Sequence, residues 1–234
     1  MSQATLTEAI AAVTSELVVQ MADTPGLVRD AHLLRHQVYC LERGYEPGQD
    51  GLEVDAYDAH SSHVVLRLAG SGTVIGTARL ILPYAASPDS SFPMQAVCTP
   101  ERFAALPFAR TAEISRFALS KDRGGLSVAA TSLSRLALVR GLVQLSQRQG
   151  VTHWCAVMER TLLRLLRASG IHFDGMGPVV EYHGLRQPAA CNLAGMLARM
   201  RREQPEIWGF VTDHGAFAPS AGAVIVAWGQ RQAA

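Results

Sequence analysis

A chain of 234 residues, 48% hydrophobic and 18% charged, has the material for a full core and is too apolar to be disordered. Lys and Arg number 21 against 20 Asp and Glu, so no global field steers it to nucleic acid or an anionic membrane.

The N-terminal stretch MSQATLTEAIAAVTSELVVQ lacks the basic region, apolar core and cleavage site of a secretory signal. No run reads as the roughly 18 apolar residues that span a bilayer, so no transmembrane segment and a cytoplasmic location are expected. Leu6, Ile10, Val13, Leu17 and Met21 recur at steps of three and four and predict one amphipathic helix over the first twenty residues, broken at Asp23-Thr24-Pro25-Gly26. A second helix fits 27–43, with Leu27, Ala31, Leu34, Val38 and Leu41 on one face and Gly44 at its stop. It carries Arg35 and, four residues on, Tyr39. The acidic run GLEVDAYD follows, with Glu53, Asp55 and Asp58 within six positions, ordinarily a solvated turn.

HVVLRLAG and TVIGTARLIL, separated by a Gly-Ser turn, predict an antiparallel hairpin. Alternation places Arg79 in a mainly apolar row with Ile75, Thr77 and Ile81, where a charge needs a partner or a ligand. From Pro83 to Arg110 five prolines exclude regular strands, and Phe92, Met94 and Phe103 predict an ordered covering segment. The strand TAEISRFALS holds Glu113 and Arg116, three apart and so on opposite faces unless a β-bulge between them turns both to one side. After KDRGGLS come a helix ending near Gly150, the strand VTHWCAVM and a helix stopped by Gly170. A strand around GPVVEYH, a helix from Pro188 to about Arg202 and a terminal strand AVIVAW complete the prediction: a single α/β domain over 1–234, with antiparallel strands first and helix-crossed strands later.

Cys40, Cys98, Cys155 and Cys191 are widely spaced without a C-x-x-C pair, which predicts reduced, mostly buried thiols and no zinc site. The eight histidines show no metal-ligand spacing, and no metal is expected.

Taken singly, Arg35, the acidic run, Arg79 and the Glu113–Arg116 pair read as ordinary structural charges. Together, R-x-x-x-Y, E-x-D-x-Y-D, G-x-A-R-L, Phe92-Pro93 and E-I-S-R-F resemble the acyl-homoserine-lactone synthase and N-acyl amino acid synthase superfamily, a branch of the GNAT-like acyltransferases, over residues 27–120. The stretch HWCAVMERTLLRLLRASGIHFDGMGPVVEYHGLRQP resembles the acyltransferases associated with PEP-CTERM and exosortase systems. Where lactone synthases usually carry a tryptophan shortly after the arginine-containing helix, this chain reads ERGYEP, with Tyr45.

The resemblance implies an α/β GNAT-like (acyl-CoA N-acyltransferase) fold, a mixed central sheet with splayed central strands flanked by helices. It implies transfer of a long-chain fatty acyl group from an acyl carrier protein thioester, possibly acyl-CoA, to the amine of an amino acid or related small molecule, with no further cofactor. Glu113 is the expected base. Asp55 and Asp58 are expected to hold Arg35 and Arg79 by bidentate pairing, with Arg116 completing the network or gripping a substrate carboxylate and Glu53 left solvated. Tyr39 and Tyr45 are expected at the substrate, and Phe92, Phe117, Trp154, Met158 and Leu162 along an acyl tunnel. The KDRGGLS loop, with Gly124 and Gly125, is expected near the donor phosphate, and Lys121, Arg123 and Arg102 on a positive rim facing the carrier protein. The alternatives are a lactone synthase using S-adenosylmethionine and a non-catalytic acyl-binding domain.

Overall fold

The computed structural model of the chain describes residues 3–45 and 50–218. Helix α1 (Gln3–Glu16) runs directly into an edge strand, β1 (Leu17–Met21), which pairs antiparallel with residues 64–68. This corrects the expected continuous helix: Leu17-Val-Val-Gln-Met satisfies a helical period, but its β-branched residues gain ladder partners as a strand. Helix α2 (Pro25–Arg35) starts on a Thr24 cap that accepts the Leu27 N–H at 3.3 Å, and continues as a π-helical stretch, His36–Glu42, up to Gly44. The predicted hairpin is present as β2 (Ser61–Leu68) and β3 (Val74–Ile81), followed after a proline-rich segment containing α3 (Pro100–Phe103) by β4 (Thr111–Leu119).

The second half comprises α4 (Val128–Gln149), β5 (His153–Glu159), α5 (Arg160–Ala168), two short strands, β6 (Asp174–Gly175) and β7 (Val180–Glu181), then β8 (Leu185–Asn192), α6 (Leu193–Glu203) and α7 (Pro205–Thr212). The helix expected from Pro188 is therefore a strand as far as Asn192. On the outer edge of β8, Pro188 falls between the β6 ladder (Ala189, Ala190) and the β7 ladder (Leu185, Arg186), where its carbonyl accepts the Met176 N–H at 2.8 Å and no ladder bond calls on an N–H. The predicted terminal strand AVIVAW lies outside the described residues.

The strands form one mixed sheet of order β1-β2-β3-β4-β5-β8-β6, with β7 also on β8. Its back face (Val64, Leu66, Ala78, Leu80, Ala112, Trp154) packs into the main core beneath α1, α4, α6 and α7. Helix α4 is long and apolar enough to cross a membrane, but it spends most of its side chains on this core. It approaches so closely at Gly141 that a Cβ there would lie 2.3 Å from Val64 Cγ1 and 2.7 Å from Val19 Cγ1. Gly141→Ala gains about 1 kcal/mol of helix propensity, and overpacking takes back about 1–3 kcal/mol. A lower melting temperature in thermal unfolding is the expected result.

The front face is covered by α2 and its π-helical continuation, whose Leu34 and Val38 meet Ala118, and by the proline-rich segment, whose Phe92, Met94 and Phe103 pack on Ile81, Cys155 and Ala190. That segment is ordered covering, as its aromatic anchors predict. Cys98, Cys155 and Cys191 are buried and unpaired and Cys40 is half-buried.

One register detail positions everything that follows. Strands β4 and β5 are parallel, yet they pair only over Thr111–Glu113 and His153–Cys155; beyond that, β4 runs on to Leu119 and β5 to Glu159 without a mutual ladder. The central strands splay, and Glu113 sits at the apex of the opening.

Candidate active site

Three arginines, two buried and Arg116 half-buried, and three carboxylates close into a ring in front of β3 and β4. Arg35, at the end of α2 and fully buried, donates from Nε to Glu53 at 2.5 Å and from its two terminal nitrogens to Asp58 at 2.7 and 3.0 Å. Asp58 also accepts from Arg79 at 2.9 Å. Arg79, equally buried in β3, grips Asp55 with both terminal nitrogens at 2.6 and 2.9 Å and uses its Nε on Ser115. Arg116 completes the circuit, donating to Asp55 at 3.0 Å and to Glu53 at 2.8–3.1 Å. Signs alternate around the ring and cancel, which is how six charges survive away from water.

Local structure prepares each member. Asp55 caps the 3-10 turn Ala56–His60 by accepting the Tyr57 N–H, and Asp58 reaches back to the Asp55 N–H at 2.8 Å, so both carboxylates are fixed by the backbone before any arginine arrives. Arg116 owes its direction to a bulge. Thr77 pairs with Ala118 and Arg79 with Ser115, so Arg116 and Phe117 oppose the single residue Ala78, and Arg116 adopts a left-handed φ of 49°. The predicted irregularity is thus present, located at Arg116 itself rather than before it. The Arg116 guanidinium also lies over the Tyr39 ring, 5.6 Å from its centroid. Tyr39 belongs to the π-helical stretch, which Gln37 ties to Ser120 at 3.0 Å.

Burial pushes the Asp58, Asp55 and Glu53 carboxyls upward, and the arginines overcome it, helped at Asp58 by the neighbouring His32, whose Nε2 lies 3.8 Å away; all three are held below the usual carboxylate range. Glu113 differs. It is 2% exposed and accepts one hydrogen bond, from the Met94 N–H at 2.8 Å. Burial dominates there, opposed by that bond and by the Arg79 and Arg116 charges, and lifts its pKa to about 8. The carboxylates around the ring and at the strand opening are therefore pushed apart: three ionised, one poised to exchange a proton.

His32, Asp58 and His63 bring three ligand-type atoms within 4.8 Å of one another. Asp58 is committed to two guanidiniums, and burial followed by the Arg35 charge holds His63 neutral at about 3, so a cation there would face Arg35 and Arg79. These residues fit a polar lining better than a metal centre.

Between the splayed strands lies a cleft of about 420 Å³. Its front mouth is polar, with Tyr39, Glu113, Ser115, Arg116, Tyr182 and Arg186; its depth is apolar, with Val139, Leu142, Trp154, Leu162, Leu166 and Phe173. Phe117 and Met158 also line it. The floor is rigid, since Trp154 donates its indole N–H to Ser146 at 2.8 Å and stacks on Phe173 with ring centroids 6.4 Å apart. A larger hollow of about 710 Å³ between α1, β1, α4 and α7 contains none of these groups.

Several expectations need correction. Glu53 is not solvated: it is 4% exposed and joins two arginines. Phe92 is buried among Met94, Phe103 and Phe108 in the front covering and does not line the cleft. Tyr45 is an exposed ring beneath Arg43, away from the cleft lining. Lys121 and Arg123 do reach the cleft, joined by Arg43 and Arg135, whereas Arg102 is on α3 and Gly124 and Gly125 are absent from the lining. Gly124 is instead required by packing, because a Cβ would lie 2.5 Å from Leu68 Cδ1. Tyr182, Arg186, Ser115 and most of the apolar depth were not foreseen. Glu53 had a detectable signal: three arginines against two aspartates leave one buried charge uncancelled.

The acetyltransferase (GNAT) domain family matches residues 34–132. Among solved structures, the chain is similar to the AHL synthase LasI (TM-score 0.57, 21% identity, covering 75% of this chain and 89% of that one). It is similar to FeeM, an N-acyl amino acid synthase from uncultured soil microbes (TM-score 0.58, 14% identity, 80% and 97% covered), and to BjaI, a CoA-dependent acyl-homoserine lactone synthase (TM-score 0.58, 20% identity, 88% and 90% covered). No curated protein matches the sequence. At these identities the likeness is one of fold: a mixed sheet flanked by helices, the GNAT-like acyltransferase architecture.

Proposed function

We propose that this chain is an N-acyltransferase that moves a long-chain fatty acyl group from an acyl carrier protein thioester to the amine of an amino acid or related small molecule. The observation that carries the reading is the cleft through the sheet, apolar behind and polar in front, with a proton-exchanging carboxyl at its neck. An acyl tail lies against Trp154, Leu142 and Leu162 while the thioester carbonyl reaches Glu113. The amine enters from the front. Glu113 removes its proton as nitrogen bonds to the carbonyl carbon; the carbon–sulfur bond then breaks, the proton passes to the departing thiolate, and an amide remains. Main-chain groups of β4 and β5 that no longer pair with each other offer donors to the oxyanion. The charge ring is the rigid wall that keeps Glu113 and the mouth in register.

The test is incubation with acyl carrier protein bearing a long chain and a panel of amines, with products read by mass spectrometry. An N-acyl amino acid supports the reading. Product only with S-adenosylmethionine would assign a lactone synthase, and no product with any amine an acyl-binding domain. The cationic edge of the mouth supports a protein donor: Arg43, Lys121, Arg123 and Arg135 line the cleft, and the carrier is taken as acidic. The K121E/R123E variant is expected to raise KM for the acyl carrier protein at least tenfold and to leave kcat within about twofold, measured by steady-state kinetics at low salt.

A further inference from the structure

The ring leaves little for a substrate anion to bind. Arg35 and Arg79 place every guanidinium nitrogen on a protein oxygen, and Arg116 commits Nε and Nη2 to Glu53 and Asp55. A carboxylate recruited to Arg35 or Arg79 must first separate a buried ion pair, and Arg116 has Nη1 alone outside these bonds.

Arg186 is in a different state. It lies on β8 directly across the ladder from Glu159, and it alternates onto the face of Pro188 and Ala190; Ala190 packs with Cys155, the ladder partner of Glu113. It lines the cleft and is half-buried. Its Nε is buried with no hydrogen-bond partner, and among the described residues it makes no ion pair, even with the facing Glu159. A buried N–H left unsatisfied is costly unless a ligand meets it. Tyr182 lines the same mouth, close enough for the charges of Glu113, Arg116 and Arg186 all to bear on its hydroxyl, and burial keeps that phenol protonated and able to donate. Along the strand direction the Arg186 backbone is about 13 Å from the level of Glu113, on the face it shares with Glu113.

We propose that Arg186, assisted by Tyr182, receives a carboxylate of the acceptor, so that the acceptor is an amino acid rather than a simple amine. This rests on the acyl-transfer reading above and names the specificity-determining residue within it. The ammonium end is then directed toward Glu113, and the guanidinium fork supplies bidentate recognition that a lysine cannot reproduce.

The experiment pairs turnover with binding. With wild-type protein, kcat/KM for an amino acid is expected to exceed that for its decarboxylated amine by at least tenfold, and in R186Q that preference is expected to collapse, with R186K intermediate. Calorimetric titration with an N-acyl amino acid and with the N-acyl amine lacking the carboxylate is expected to show the same preference in wild type and its loss in R186Q. Thermal unfolding establishes that each variant is folded. Equal use of amine and amino acid by wild type overturns the proposal, as does an R186Q defect confined to KM for the acyl donor, which would assign Arg186 to the donor's phosphate. If no turnover is found but binding still prefers the carboxylate through Arg186, the anion receptor stands and the acyl-transfer reading alone falls. If binding shows no preference, the receptor falls whatever the activity.

Discussion

Glu113→Gln is expected to lower acyl-transfer turnover by about 10²–10⁴-fold, the range that general acid–base catalysis spans, while leaving the fold intact. The amide carbonyl can still accept the Met94 N–H, so the structural role of the side chain is preserved and only proton exchange is lost. Wild-type activity is expected to climb with pH up to about 8, where the free carboxyl ionises, and the residual activity of E113Q is expected to lack that limb. Stability moves the opposite way. The folded pKa is raised, so the native state keeps a proton that the unfolded chain releases between about 4.5 and 8, and wild-type stability falls as pH rises through this window. The slope from this group is at most about 1.4 kcal/mol per pH unit. Melting temperatures of wild type and E113Q, measured across that window, should diverge in favour of the variant as pH rises. Parallel curves with unchanged kinetics would remove Glu113 from the mechanism.

Glu53→Ala is expected to be the most damaging single change to the fold, costing about 3–5 kcal/mol because it strands Arg35 and part of Arg116 without their counter-ion. Denaturant unfolding measures it. Arg35→Ala should cost a similar amount, and the double variant far less than the sum, since removing both partners removes the uncompensated charge. Full additivity would show that the two residues do not act as a pair. The pH dependence follows from depressed carboxyls: Glu53, Asp55 and Asp58 have native pKa values below their unfolded ones, so their contribution is complete above about 4.5 and is lost as pH falls through the native values. Acid unfolding of the wild type is therefore expected to be steep, and E53A shallower.

The elements whose periodicity is unambiguous could be read before the structure: the β2–β3 hairpin, β4 with an irregularity near Arg116, and the capped helix α4. Residues 17–21 satisfy two periods at once and were decided by their ladder with β2. Pro188 argues against a strand until one knows that it falls between two ladders on the outer edge of β8. In the site, Arg79 was legible because a charge in an apolar row demands partners, whereas Arg35, Arg116, Asp55 and Asp58 were legible only through the motifs of the family resemblance. Glu53 was not, because an acidic turn before a strand is ordinarily wet, and only the sum of charges in the finished ring reveals the missing anion. Arg186 was invisible for a related reason: what marks it is the lack of a partner, which a sequence cannot display.

Where β4 and β5 part company, each retains a neighbour on its outer side only, β3 for one and β8 for the other. Among the described residues, the inward flanks of both segments form no ladder with each other. Any extended guest with amides of its own can be stitched in by peptide-to-peptide bonds, a form of grip that ignores side-chain identity. Substitutions along the opening should then change which tail or acceptor is tolerated much more readily than whether a thread-like donor is held at all.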